Sequence, residues 1–92
     1  MKARIFAPAE VVALKNDAEE LAMRLRDLHI STQVINRSSL KLDDLRLVAQ
    51  YGVVEPFVLV FYEGQKIYVR LTTMPRPAEI ERVVQRVLQS CN

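Results

Sequence analysis

The segment that decides the fold is residues 57–71, which read FVLVFYEGQKIYVRL. Residues 57–62 form an unbroken apolar run rich in β-formers, which is typical of a strand buried on both faces of a sheet. Gly64 follows in a short polar segment and is free to adopt the positive φ of a tight turn. The segment therefore predicts a central strand, a turn at residues 63–65 and an antiparallel second strand.

The second strand of this predicted hairpin, residues 66–71, alternates in polarity. The alternation predicts a half-exposed edge strand. One side is expected to carry Ile67, Val69 and Leu71, and the other Tyr68 and Arg70.

Upstream, residues 3–7 predict a short buried strand that Pro8 ends, since proline disrupts a strand and can open a helix. Residues 9–28 then predict one long amphipathic helix. An alternative start lies at Asn16 and Asp17, which precede Glu20 with the spacing of a capping box. The apolar stripe of the helix has steps of three and four residues and consists of Val11, Leu14, Ala18, Leu21, Leu25 and Leu28.

Three further elements complete the chain. Residues 31–36 suit a strand, and a short helix is expected around residues 42–49 with Gly52 as its C-terminal cap. Residues 72–77 form a proline-containing loop, and residues 78–91 predict a final helix that begins after Pro77.

The resulting order, β-α-β-α-β-β-α, predicts a single α/β domain over residues 1–92. Strands joined through a helix are expected to lie parallel, and helices are expected on both faces of a mixed four-stranded sheet, giving three layers. A ferredoxin-like order would require a strand after the final helix, so we do not expect that fold.

The order and the stretch from Leu47 to Gln65 are similar to the thioredoxin-like superfamily in its minimal, glutaredoxin-like form. In this stretch a helix ends at Tyr51-Gly52-Val53, Pro56 opens the central strand, and a glycine turn follows. The resemblance implies that Pro56 is cis and forms the floor of a groove that holds an extended protein segment. The groove candidates are Pro8, Ala9, Glu10, Glu55, Pro56, Thr72 and Thr73.

Thiol–disulfide exchange is not expected, although the resemblance would suggest it. Members of this family carry Cys-X-X-Cys at the start of the first helix, and residues 6–18 contain no cysteine. The single cysteine, Cys91, is interpreted as a buried or terminal residue. We expect no catalytic residue, no cofactor and no metal: His29 suits a helix C-terminus, and Asp43 and Asp44 suit a helix start.

The amino-acid composition limits the classes of partner that the domain is expected to bind. Half of the residues are apolar, which is generous for a small domain and indicates an apolar contact surface. A net charge of +2 with interleaved acids does not favour nucleic acid. No apolar run approaches the roughly 20 residues of a membrane span, and residues 1–6 do not resemble a signal peptide. The expected location is the cytoplasm.

Three functions remain open at this point. The first is a redox-inactive binding or assembly module that holds a protein partner in the groove. The second is a structural subunit of a homo-oligomer whose apolar surface contacts a second copy. The third is a transferase-like protein that binds glutathione or another thiol compound in the same groove.

Overall fold

A computed structural model of the chain describes residues 1–38, 45–46, 48–49, 56–64 and 66–90. Its elements follow the order β-α-β-β-β-α, which defines a small α/β fold. They are β1 (Lys2–Ala7), α1 (Val12–Asp27), β2 (Ser31–Asn36), β3 (Val58–Glu63), β4 (Lys66–Leu71) and α2 (Pro77–Ser90).

This order differs from the predicted one, which contained a further helix between β2 and β3. Most of that predicted helix, including its cap Gly52, lies outside the described residues. Within residues 42–49, four residues are described, and all four are helical: Leu45, Arg46, Val48 and Ala49.

The four strands form one mixed sheet in the order β2-β1-β3-β4. β1 and β2 are parallel, whereas β1 with β3 and β3 with β4 are antiparallel. The predicted parallel pair and the predicted hairpin are therefore confirmed. β3 lies between two strands and is buried along nearly its whole length, as its unbroken apolar sequence predicts, and Gly64 in the turn has a φ of 59°.

A bulge interrupts the regular alternation predicted for β4. Phe61 pairs with Val69 and Tyr62 with Ile67, so Tyr68 is an extra residue in β4. An extra residue reverses the side on which the following side chains lie. Tyr68 consequently packs with Val69 and Leu71 against the core, while Ile67 is exposed. The predicted grouping of Ile67 with Val69 and Leu71 was therefore wrong.

The sheet carries an apolar cluster on each face. α1 and α2 cover the first face together, through side chains such as Leu25 and Val87, which pack with Ile5, Leu59 and Phe61 of the central strands. The second cluster consists of Phe6, Ile35, Val58, Val60 and Tyr62, and the helical residue Val48 packs against it. Both described helices thus lie on one face of the sheet.

α1 ends in a Schellman motif. Leu28 is the C-cap, His29 follows with a left-handed φ of 64°, and two backbone bonds close the turn. The His29 N–H donates to the Arg26 carbonyl over 2.9 Å, and the Ile30 N–H donates to the Leu25 carbonyl over 3.0 Å. Ile30 and Leu25 are both buried in the same cluster, which is the apolar contact that accompanies this motif.

Among the described residues, neither helix is long and apolar enough to span a membrane.

Candidate functional site

The strand register places most of the predicted groove residues at one end of the sheet. Phe6 pairs with Val58, and Leu59 pairs with Leu71, so the residues after β1, before β3 and after β4 leave the sheet at the same end. These are Pro8–Glu10, Pro56 and Thr72–Thr73. We call this region the Pro8 end of the sheet. Because β2 is parallel to β1, Arg37 and Ser38 after β2 also lie there.

Exposure at the Pro8 end varies among the candidates. Glu10, Pro56 and Thr73 are exposed, whereas Pro8, Ala9 and Thr72 are half-buried. Glu55 lies outside the described residues. The prediction that the Glu55–Pro56 bond is cis therefore also falls outside them.

The turn between β1 and α1 is fixed by the side chain of Asn36, the last residue of β2. Its Oδ1 accepts a hydrogen bond from the Ala9 N–H over 3.2 Å and another from the Ser38 N–H over 3.0 Å. The second contact is an Asx turn, in which the side chain bonds a backbone N–H two residues on. The Arg37 N–H also donates to the Ala7 carbonyl over 3.1 Å. The start of α1 is thereby tied to the end of β2.

Glu10 presents a fixed carboxylate at this turn. The Ser38 hydroxyl lies 2.7 and 2.8 Å from its two carboxylate oxygens, to which it donates. This bond lowers the pKa of Glu10 below its ordinary value of 4.5, the Glu10 backbone N–H lowers it further, and desolvation, the weakest of the three causes, raises it. Glu10 is therefore charged at neutral pH, and its side-chain partner is a neutral hydroxyl.

Two exposed valines follow Glu10 and were not predicted as site residues. Val11 is 42% exposed and Val12 is 64% exposed. Val11 was predicted to belong to the packed stripe of α1, and this prediction was wrong. It is the N-cap residue, in an extended conformation and without a side-chain capping bond, so it precedes the first helical turn. The buried positions of α1 are Ala18, Leu21, Ala22 and Leu25.

The start of α1 also settles the alternative left open by the sequence. The helix begins at Val12 rather than at Asn16 or Asp17, although its first turn contains no acidic residue. The local capping signal at Val12 is weak. The hydrogen bond from the Ala9 N–H to Asn36 and the packing farther along the helix therefore determine where α1 begins.

Among the described residues, three clefts border α1, and all three are small. The first has a volume of about 140 Å³ and lies beside Ala7, Ala9 and Val34. The second, about 260 Å³, lies between α1 and the start of α2, beside Leu21, Met74 and others. The third, about 190 Å³, lies beside Leu28 and Ile80. None of the three reaches the roughly 300–1,000 Å³ that is typical of small-molecule pockets. Val11 and Val12 line none of these three clefts.

The other chemical candidates that fall on described residues do not assemble into a site. Within residues 1–38, 45–46, 48–49, 56–64 and 66–90, no three side chains of His, Cys, Asp or Glu form a group that could hold a metal ion. His29 is occupied with ending α1. Cys91, Asp43 and Asp44 lie outside the described residues, so the interpretations given for them stay predictions.

No protein-family model matches the chain, and searches of curated proteins and of solved structures find no match either.

Proposed function

We propose that this domain is a redox-inactive, thioredoxin-like binding module that holds an extended segment of a partner protein at the Pro8 end of the sheet. The partner segment would lie across Val11 and Val12, beside Pro56 and the start of the loop after β4.

The thioredoxin-like assignment is supported by several features that the resemblance implies. They are the parallel β1–β2 pair, the β3–β4 hairpin, and the position of helical Val48 on the face opposite α1 and α2. Pro56 precedes β3 at the same end of the sheet as the start of α1, as the proposed groove requires.

The observation that carries the binding proposal is the exposure of Val11 and Val12. Scattered exposed apolar residues are ordinary, but contiguous ones at a rigid position often mark a contact surface. Here two exposed β-branched residues are consecutive in the chain, and the Asn36 side chain holds the preceding turn in place. A rigid apolar surface binds a partner without an additional ordering cost.

The chemistry of the partner segment follows from the neighbouring charge. Glu10 is ionised at neutral pH and directly precedes the two valines. An apolar segment that carries a Lys or Arg would bury its apolar side chains against Val11 and Val12, and would pair its cation with Glu10. We therefore expect the preferred segment to be apolar and basic.

Electron transfer forms no part of this proposal. Thiol–disulfide exchange requires an attacking thiolate, and the sequence holds one cysteine, near the opposite end of the chain from the β1–α1 turn. Val11 and Val12 lie at the start of α1, where thioredoxin-like enzymes carry their reactive cysteines. This end of the domain would bind without reacting.

Site-specific photocrosslinking tests the proposal. A benzophenone amino acid is introduced at Val12 in one variant and at Met23 in another, and each is irradiated in an extract of the native source. Met23 is a matched control because it lies on the same helix and is 62% exposed, against 64% for Val12. We expect a discrete adduct from position 12 that is absent from position 23.

Competition with unlabelled protein gives the second readout. Excess wild-type chain should suppress the adduct, and excess chain carrying Val12→Glu should not. Equal adducts from the two positions, or suppression by both competitors, would contradict the proposed site.

A further inference from the structure

The two edges of the sheet are protected against strand addition in different ways. β4 carries Lys66 and Arg70 and contains the bulge at Tyr68, and charges and bulges are the usual means of keeping an edge unpaired. In the sheet formed by the described residues, β2 is the other edge strand. It reads STQVIN and has no charge and no proline. Its own sequence therefore offers little resistance to pairing with another strand.

The backbone of β2 shows which groups face outward. The Arg37 N–H donates to the Ala7 carbonyl of β1. In a parallel pair, alternate residues direct both backbone groups toward the same neighbour. Because Arg37 faces β1, the odd-numbered residues of β2 face β1, and Thr32 and Val34 direct their N–H and C=O groups to the outer edge.

Arg26 occupies part of this outer edge. Its guanidinium donates two hydrogen bonds to the Thr32 carbonyl, from Nε over 3.1 Å and from Nη2 over 2.9 Å. Hydrogen bonds from a charged donor are stronger than neutral ones. The Schellman turn after α1 brings Arg26 to this position, so a side chain of the helix covers the edge of the strand that follows it.

We propose that the outer edge of β2 is a strand-pairing surface for a second copy of this chain, and that Arg26 keeps it closed. Two copies related by a twofold axis would pair β2 with β2 in antiparallel fashion, which would extend one sheet through both. Such an interface is self-complementary. No like charges would oppose each other across it, because β2 carries none.

The oligomeric state of an Arg26→Met variant tests this inference. Methionine keeps an unbranched stem of good helix propensity but cannot donate to the Thr32 carbonyl. Arg24→Met is the matched control, since it removes an exposed arginine of the same helix that pairs with Glu20 over 3.2 Å. Sedimentation equilibrium over a range of concentrations gives the dimer dissociation constant of each protein.

We expect Arg26→Met to dimerise about tenfold or more tightly than the wild type, and Arg24→Met to resemble the wild type. Equal dissociation constants for the two variants would overturn the proposal. So would a wild type that already dimerises as tightly as Arg26→Met.

A rescue substitution identifies the surface. Gln33 is exposed in the middle of β2, and its backbone groups face β1. Gln33→Lys therefore adds a charge to β2 at a residue whose backbone groups take no part in the proposed pairing. In the Arg26→Met background it should restore the wild-type dissociation constant, because like charges would meet in the joined sheet. Dimerisation that persists would place the contact elsewhere and overturn the assignment to β2.

If circular dichroism shows that Arg26→Met does not fold, Arg26→Lys takes its place. Lysine keeps the charge and the stem but lacks the planar fork that makes both bonds. Dimerisation tighter than that of the wild type is again expected, and its absence from a folded Arg26→Lys would overturn the proposal.

Discussion

At the scale of single residues, His29 shows how backbone conformation decides a role that composition leaves open. The sequence suggested an imidazole placed at a helix C-terminus for its charge. In the structure His29 is the left-handed residue of the Schellman motif, with a φ of 64°, a position that glycine usually fills. Its role is therefore to end α1, and the side chain is exposed.

His29→Gly is expected to stabilise the domain. Glycine relieves the clash between Cβ and carbonyl oxygen that a left-handed residue suffers, and the greater freedom of the unfolded chain offsets part of the gain. The net increase in the free energy of unfolding should be about 0.5–1 kcal/mol, or roughly 4 °C in Tm for a domain of this size. Thermal denaturation measures it.

His29→Ala is the control, since alanine keeps the Cβ atom. It should be no more stable than the wild type. Equal Tm values for the glycine and alanine variants would show that φ is not what limits stability at this position.

At the scale of elements, the start of α1 combines poor capping with exposed apolar surface. Val11 offers no side-chain acceptor to the free N–H groups of the first turn, and Val11 and Val12 are both exposed. A helix that begins in this way is less stable than one whose N-cap residue supplies a side-chain acceptor. Binding surfaces commonly retain features that lower stability, which agrees with the function proposed for the Pro8 end.

Val11→Thr tests this view of the helix start. Threonine has nearly the shape of valine, and its hydroxyl can accept a hydrogen bond from an N–H of the first turn. The free energy of unfolding should rise by about 0.5–1 kcal/mol, as measured by urea denaturation. Val11→Ala, which brings no acceptor, should not raise it, and a matching rise in the alanine variant would exclude capping as the cause.

The strands show where sequence patterns succeed and where they fail. The apolar run of β3 predicted a central strand because burial on both faces leaves no polar position. The alternation of β4 failed at Tyr68, because a bulge depends on the pairing of Phe61 and Tyr62 with the neighbouring strand. The polarity pattern of β4 alone does not show how its residues pair with β3.

At the scale of the whole molecule, the sheet pairing followed from the sequence better than the site did. The helical crossover between β1 and β2 and the turn at Gly64 were enough to predict parallel and antiparallel neighbours. Only the resemblance to the thioredoxin-like superfamily predicted that Pro8, Pro56 and Thr72 would lie at one end of the sheet. Asn36 and Ser38 were not predicted as site residues, although an Asn-Arg-Ser sequence at the end of a strand is a recognisable turn signal.

The exposed valines were missed for a different reason. Val11 continues the apolar spacing of α1, and periodicity alone cannot distinguish a packed position from one just before the helix begins. Only the observed start at Val12 separates the two. The proposed binding site therefore depends on a helix boundary that the apolar spacing of the sequence does not fix.

The most direct test of the account is the affinity of the crosslinked partner segment, made as a peptide, for Val12→Glu and Met23→Glu. Both variants place a good helix former at an exposed position of α1, so their folding should be alike. We expect Val12→Glu to weaken binding about tenfold or more and Met23→Glu to change it by less than about twofold. Equal affinities for the two variants in calorimetry would contradict a binding site at the Pro8 end.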